Sequence, residues 1–479
     1  MTSRFIRAFA LAVTIVSCLP AAGVVAAGWA PLGPLAGPTN DAVQSGVTRD
    51  ASGVLHVLWQ RGGDLLHAAV APDGAIGAPN ALVTGWSTMS TPDVVAVPGG
   101  LLAVFSGFQG GGIETDLSTA ASTDGGATWA IDTSKFKMLS DAPSLAVGPD
   151  LTPFIAAGAL QVIRGFARPG QAGADSQFFN FQTALTGECC GYSPNIERSG
   201  SGLMWLSWYS SASADKRGVF VQQVDPATGD PAGPAALMPG STTEFEGSLE
   251  SVAPYGRVGL APRAGSADMF AVAGGGYPTP TRPLVWRVGS DRAVNLSPRF
   301  GKKDPITAIT VAPGAGGRMW VVWSTGEFDD VRIHARRSNA AATRWSAETV
   351  IKPPKYTVKV LYLDGNEAPD GGLDVVTHGV PLNGPPNSAP YLTRMLPSLT
   401  VTGSPLRIDR KDTTAVTFRV TEAFAAVKGA TVTIGGRHGR TDSKGRVTIK
   451  VDAPAKKGKL RAKATAPGFA PGRFLLSVG

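Results

Sequence analysis

Cys189 and Cys190 stand side by side ahead of Gly191 and Tyr192, and with Cys18 they are the chain's 3 cysteines. Neighbouring Cα atoms lie about 3.8 Å apart across a trans peptide, less than a relaxed disulfide spans. A bond between them closes a small strained ring. Such a vicinal disulfide makes a stiff apolar ledge beside Tyr192, suited to stacking a sugar or another flat ligand; the plain alternative is a rigid turn without a ligand. Carboxylates are supplied further along the chain by Glu244 and Glu246, inside a long segment around Ser241 to Gly256. Long loops on a rigid scaffold tend to carry function. Metal chemistry has little to work with. The histidines (His56, His67, His334, His378 and His438) are scattered, and the acidic stretches Asp329-Asp330 and Asp364 to Glu367 read as ordinary turns rather than Ca²⁺ sites. No metal and no cofactor is expected.

Those residues have to be held by strands. Gly (60) and Pro (37) punctuate the chain too often for long helices, while 43% hydrophobic and 17% charged residues argue against disorder. One pattern, strand, Gly/Asp turn, strongly apolar strand, recurs from Val47, Val95, Leu145, Ile196, Val258, Ile309 and Leu361. Its turns fall about fifty residues apart, the length of a four-stranded repeat unit. Seven such units predict a seven-bladed β-propeller, with six blades as the alternative if one unit is mis-split. The seventh unit lacks a fourth strand after Tyr391. Gly28 to Leu32 has no unit of its own, and it is expected to complete the last blade and cover its open edge.

Within the second unit, Leu117 to Ser122 alternates as a strand, Asp124-Gly125-Gly126 makes a tight turn, and Thr128-Trp129 opens the next strand. The spacing Ser122, Asp124, Gly126, Thr128, Trp129 resembles the Asp-box, or BNR repeat, of sialidase-like β-propellers. That resemblance implies a structural role for the turn, which joins third to fourth strand on one face. It also places ligands on the opposite face, where the loops entering each first strand carry Asp141, Cys189, Cys190, Tyr192, Glu244, Glu246 and Asp304. Sialidase-type catalysis implies a Tyr nucleophile paired with Glu, an Asp acid/base and a cluster of arginines. Tyr192 with Glu188 or Glu246, and Asp141 or Asp304, can be cast in those roles. No arginine triplet falls at matching positions, and the family's Phe/Tyr-Arg-Ile-Pro motif is absent.

The chain begins with Arg4 and Arg7, an apolar run from Ala8 to Val16, and small residues ending at Ala27, the layout of a secretory signal peptide over residues 1–27. A lipobox ending at Cys18 is the competing reading. A propeller is expected over 28–402 and a small β-sandwich over 403–479, the latter similar to carboxypeptidase-regulatory-like and bacterial Ig-like modules through GATVTIGGRHGRTDSKGRVTIKV. Residues 404–479 carry 16 Lys/Arg against 5 Asp/Glu, so the formal charge of +8 resides there and the rest is slightly acidic. Such a tail suits an anionic cell-wall or membrane surface. Nucleic acid is not expected, since aromatics are not interleaved with the cations. The function this reading favours is an exported protein binding a glycan or protein ligand, with a sialidase-type glycoside hydrolase as the alternative.

Overall fold

A computed structural model describes residues 29–34, 44–109, 116–136, 140–159, 162–167, 179–182, 191–211, 216–227, 229–244, 257–276, 280–297, 304–327, 330–353, 357–381 and 390–479. The fold is all-β. Among the described residues helix is limited to single turns at Ser241–Glu244 and Ala315–Gly317.

Among the described residues up to Met395 there are seven antiparallel sheets, six with their strands in sequence order and a seventh that borrows its outer strand from the start of the chain; the second has an additional short strand, Thr88–Met89. Their inner strands are Gly46–Arg49, Asp93–Val97, Ser140–Val147, Gly191–Arg198, Gly259–Pro262, Ile306–Gly314 and Thr357–Glu367. Each inner strand touches the next, and the seventh touches the first, so the contacts run in a closed cycle. The arrangement is propeller-like. Apolar cores lie between consecutive sheets rather than within one: Trp86, Val94 and Phe105 meet Leu58 and Leu65 between the first two. Val376 and Leu392 of the seventh sheet meet Leu55, Val57 and Trp59 of the first. Trp59, Trp208, Trp286 and Trp323 are fully buried at such positions, each contributing about 2–3 kcal/mol through area removed from water.

Trp29–Pro34 pairs antiparallel with Tyr391–Met395, so the first described strand is the fourth strand of the seventh sheet. Polar groups reinforce the same seam. Asp374, whose carboxylate has no exposure, accepts from Arg49 Nη2 at 2.6 Å across the seam and from Arg394 Nε at 2.8 Å and Nη2 at 2.9 Å. His378 Nε2 lies 2.5 Å from Ser45 Oγ, just ahead of the first inner strand.

Beyond Met395 two sheets share one core of Val416, Phe418, Val420, Val432, Ile449 and Leu476. Their first strand is Leu399–Ser404, paired with Thr413–Glu422. This strand straddles the boundary expected between 402 and 403: Leu399 and Val401 alternate inward and belong to the C-terminal core, so the division falls at residues 396–398. The two parts are joined by more than the chain. Glu422, at the end of a strand, is 5% exposed and receives Arg337 Nη1 at 2.9 Å and Arg318 Nε at 3.4 Å from the sixth sheet, while Arg344 lies over the ring of Phe424.

Candidate functional site

The inner strands surround a cavity of about 260 Å³ on the axis of the cycle. Its polar lining comes from the same place on successive sheets. Asp93, Ser144 and Asn195 each follow a proline, the first opening its inner strand and the other two midway along theirs. Ser144 Oγ lies 3.2 Å from Asp93 Oδ2 and 2.9 Å from Asn195 Oδ1, and Asn195 Nδ2 donates to Val258 O at 3.2 Å. Asp93 is held further by the Leu145 amide on Oδ2 and the Val94 amide on Oδ1. A belt of short polar side chains therefore links the second, third, fourth and fifth sheets. Register shifts between Asp141 and Ser144, and between Tyr192 and Asn195, kink two of these strands where the belt forms.

Arg257 spans the belt. It precedes the fifth inner strand, is 6% exposed, and sends its guanidinium to Pro92 O at 2.6 Å and Pro143 O at 2.8 Å, with Asp93 Oδ1 at 3.7 Å. Its own amide donates to Gln44 Oε1 at 2.6 Å. Arg257 thus ties together the segments around Gln44, Pro92 and Pro143 on three different sheets. Along the strands the wall continues through Thr48, Thr310, Glu197 and Asp364 to Asn366 and the exposed Arg198.

Glu197 and Asp364 give the cavity its chemistry. Burial, with the Asp93 and Asp364 charges adding repulsion, pushes the Glu197 carboxyl up to about 8, against a smaller opposing pull from Arg257. Burial likewise pushes Asp364 up to about 7, opposed by Arg257 and by bonds from Gln44 and the Gly365 amide. At neutral pH Glu197 holds its proton and can donate as well as accept a hydrogen bond, while Asp364 is divided about equally between its two forms. Arg257 is consumed by backbone carbonyls, and the wall has an excess of acidic groups.

Of the residues singled out in the sequence, Tyr192 and Asp304 lie away from the cavity. Tyr192 is the second residue of the fourth inner strand; its ring stacks on Tyr209 at 6.5 Å between centroids and packs into the core between the fourth and fifth sheets. Asp141 pairs with Gly158 through the backbone, Glu244 ends the helical turn, and Asp304 is exposed on a bend before the sixth inner strand. Cys18, Cys189, Cys190, Glu188, Glu246 and the segment 1–27 lie outside the described residues. Asp364 to Glu367, read above as an acidic turn, is part of the inner strand Thr357–Glu367; the turn comes at Pro369 to Gly372. Among the described residues no group of three or more His, Cys, Asp or Glu is placed to hold a metal ion.

The Ser122–Trp129 turn joins the third to the fourth strand of the second sheet. Asp124 accepts from Thr128 Oγ1 at 2.6 Å, the Thr128 amide at 2.9 Å and Ser122 Oγ at 2.8 Å, which hold its carboxyl down to about 2. The Gly126 amide donates to Ser122 Oγ, and Trp129 Nε1 closes onto Gly126 O. The turn docks on the first sheet, where Asn80 Nδ2 donates to Gly126 O and His67 meets the Trp129 ring edge-on.

No known family's sequence profile matches the chain, and no curated protein matches it in sequence. Solved structures with a similar course include a virginiamycin B lyase from Staphylococcus aureus (10% identity, 76% of this chain and 98% of that one, TM-score 0.45). A polysaccharide lyase, Uly1, covers 75% of this chain and 91% of its own at 12% identity and TM-score 0.48. An α-L-arabinanase from Penicillium chrysogenum covers 78% and 98% at 13% identity and TM-score 0.43. These likenesses concern the course of the chain and go no further.

Proposed function

We propose that the protein is an exported seven-bladed β-propeller with a C-terminal β-sandwich, and that it binds a hydroxyl-rich ligand, a glycan or the polar side chains of a protein, in its axial cavity. The observation that carries this reading is the cavity wall itself, where the carboxyls of Glu197 and Asp364, both pushed upward by burial, stand with Asn366, Thr48 and Thr310. Carboxyl groups that both donate and accept suit a neutral polyol, and Arg257, already bonded to Pro92 O and Pro143 O, is not free to clasp a carboxylate. The Ser122–Trp129 turn is read as an Asp-box that fastens the first two blades together and takes no part in binding.

A second reading, glycoside hydrolysis, draws on the same two carboxyls, because a carboxylic acid protonated at neutral pH is what a general acid requires. One experiment separates the readings. A glycan array probed with the full chain is expected to yield neutral ligands whose binding weakens at least tenfold in Glu197→Gln and Asp364→Asn. A panel of fluorogenic glycosides, including a sialoside, is expected to stay uncleaved. Cleavage lost in Glu197→Gln would establish hydrolysis, and unaltered glycan binding in both variants would remove the cavity from consideration.

A further inference from the structure

The C-terminal sheets present a second surface with its own chemistry, independent of the axial cavity. One of them runs in the order 407–408, 472–478, 458–465, 431–434, 437–440. Alternate residues of these strands fill the core, and the others face outward: Lys459, Arg461 and Lys463 on one strand, Arg473 opposite Lys463 on the next, and Arg440 with His438 on the edge. All are exposed except for backbone, and no strand of this sheet contains Asp or Glu. Among the described residues none of the five Lys and Arg side chains has an ion-pair partner, although Arg437 on the same edge strand is paired, with Asp452 at 2.6 Å. Contacts with the seven-sheet ring come from a strand end and a turn, at Glu422 and Phe424, and the outward residues of this face remain exposed.

Two physical points narrow the occupant. Exposed ion pairs are worth about 0–1 kcal/mol each, so a single small anion gains little here; a ligand with many charges on one chain engages them together. Residues two apart on a strand repeat at roughly 6.7 Å, so Lys459, Arg461 and Lys463 form a straight track rather than a convergent pocket. The strands of this face carry no outward Phe, Tyr or Trp ring on which a nucleic-acid base could stack, His438 being the one aromatic there. Its one exposed large apolar side chain is Leu475, 50% exposed beside Arg461, too little to enter a bilayer. The geometry points to this face as a docking surface for a linear acidic polysaccharide, with the cations on the acid groups and Thr433, Thr465 and Ser477 among them as hydrogen-bonding partners for sugar hydroxyls.

The test uses the full chain on immobilised alginate, a polyuronate, eluted with rising salt. The triple variant Arg461→Gln, Lys463→Gln, Arg473→Gln is expected to bind at least tenfold more weakly, and its slope of log affinity against log salt to fall by about 2 to 3. A matching variant on the opposite sheet, Arg419→Gln, Arg446→Gln, Lys450→Gln, is expected to stay within about twofold of the parent, and circular dichroism should show both folded. Glu197→Gln is expected to leave alginate binding unchanged, which separates this surface from the axial cavity. Equal losses in the two triple variants would reduce the effect to net charge and overturn the assignment. So would absence of salt-sensitive retention, or binding to vesicles containing phosphatidylglycerol without binding to alginate.

Discussion

The Glu197 carboxyl is protonated in the folded protein up to about pH 8, while in the unfolded chain it ionises near 4.5. Between those values the folded state holds a proton that the unfolded state has lost, so stability drains away as pH rises through that window and is undiminished below it. Asp364 acts in the same sense from 3.8 to about 7. The Glu197→Gln variant is therefore expected to melt higher than the parent at pH 8, by on the order of 2 kcal/mol, and to match it at pH 4; melting curves at the two pH values decide it. His378 works oppositely. Burial drives its ring down to about 3 from 6.5, so its share of stability is present above 6.5 and lost as pH falls toward 3. Gly126 offers a sharper steric test: its φ is +88°, and an added Cβ would meet His67 Cε1 at 2.2 Å, whereas Gly125, at φ +72°, has nothing within 4 Å. Gly126→Ala is expected to cost about 3 kcal/mol and Gly125→Ala only about 1, as measured by denaturant unfolding.

At the scale of strands and sheets, the seam between the seventh sheet and the first is held by Asp374 and two arginines. Asp374→Ala leaves Arg49 and Arg394 without their buried counter-charge, and the expected cost is about 3–5 kcal/mol, visible as an early melting phase. Much of this level was legible in the sequence. The period of about fifty residues marked each inner strand because Gly/Asp turns and apolar runs repeat with the sheets, and the missing fourth strand after Tyr391 pointed to the strand at Trp29. The candidate site was not legible in the same way. Tyr192 drew notice as an aromatic beside two cysteines, but its place on an inner strand sends the ring between sheets. Asp93, Ser144 and Asn195 carried a signal that could have been read: a polar residue between a proline and an aliphatic one, recurring 51 residues apart. Glu197, Asp364 and Arg257 carried none, since only convergence of sheets distant in sequence makes them neighbours. The C-terminal boundary was misplaced because charge rises after residue 403 while the apolar alternation that defines the core begins at Leu399.

For the whole molecule, the two parts are fastened by Glu422, buried between Arg337 and Arg318. Removing it strands two cations in a desolvated interface, so Glu422→Ala is expected to free the C-terminal sheets and expose the linker at residues 396–398. Limited proteolysis followed by mass analysis should then release a fragment starting near Leu399, which the parent resists; an unchanged digestion pattern would mean the two parts are fixed by other contacts.

Pairing of Trp29–Pro34 with Tyr391–Met395 also sets an order of events in time. As the chain emerges from the ribosome, its earliest described strand has no mate until roughly 360 residues have followed. Six sheets can form as they appear, but the circle stays an open arc with one raw edge until then. The moment of greatest exposure to misassociation falls just before that last hairpin arrives, and a variant truncated ahead of Tyr391 would be left permanently in that condition.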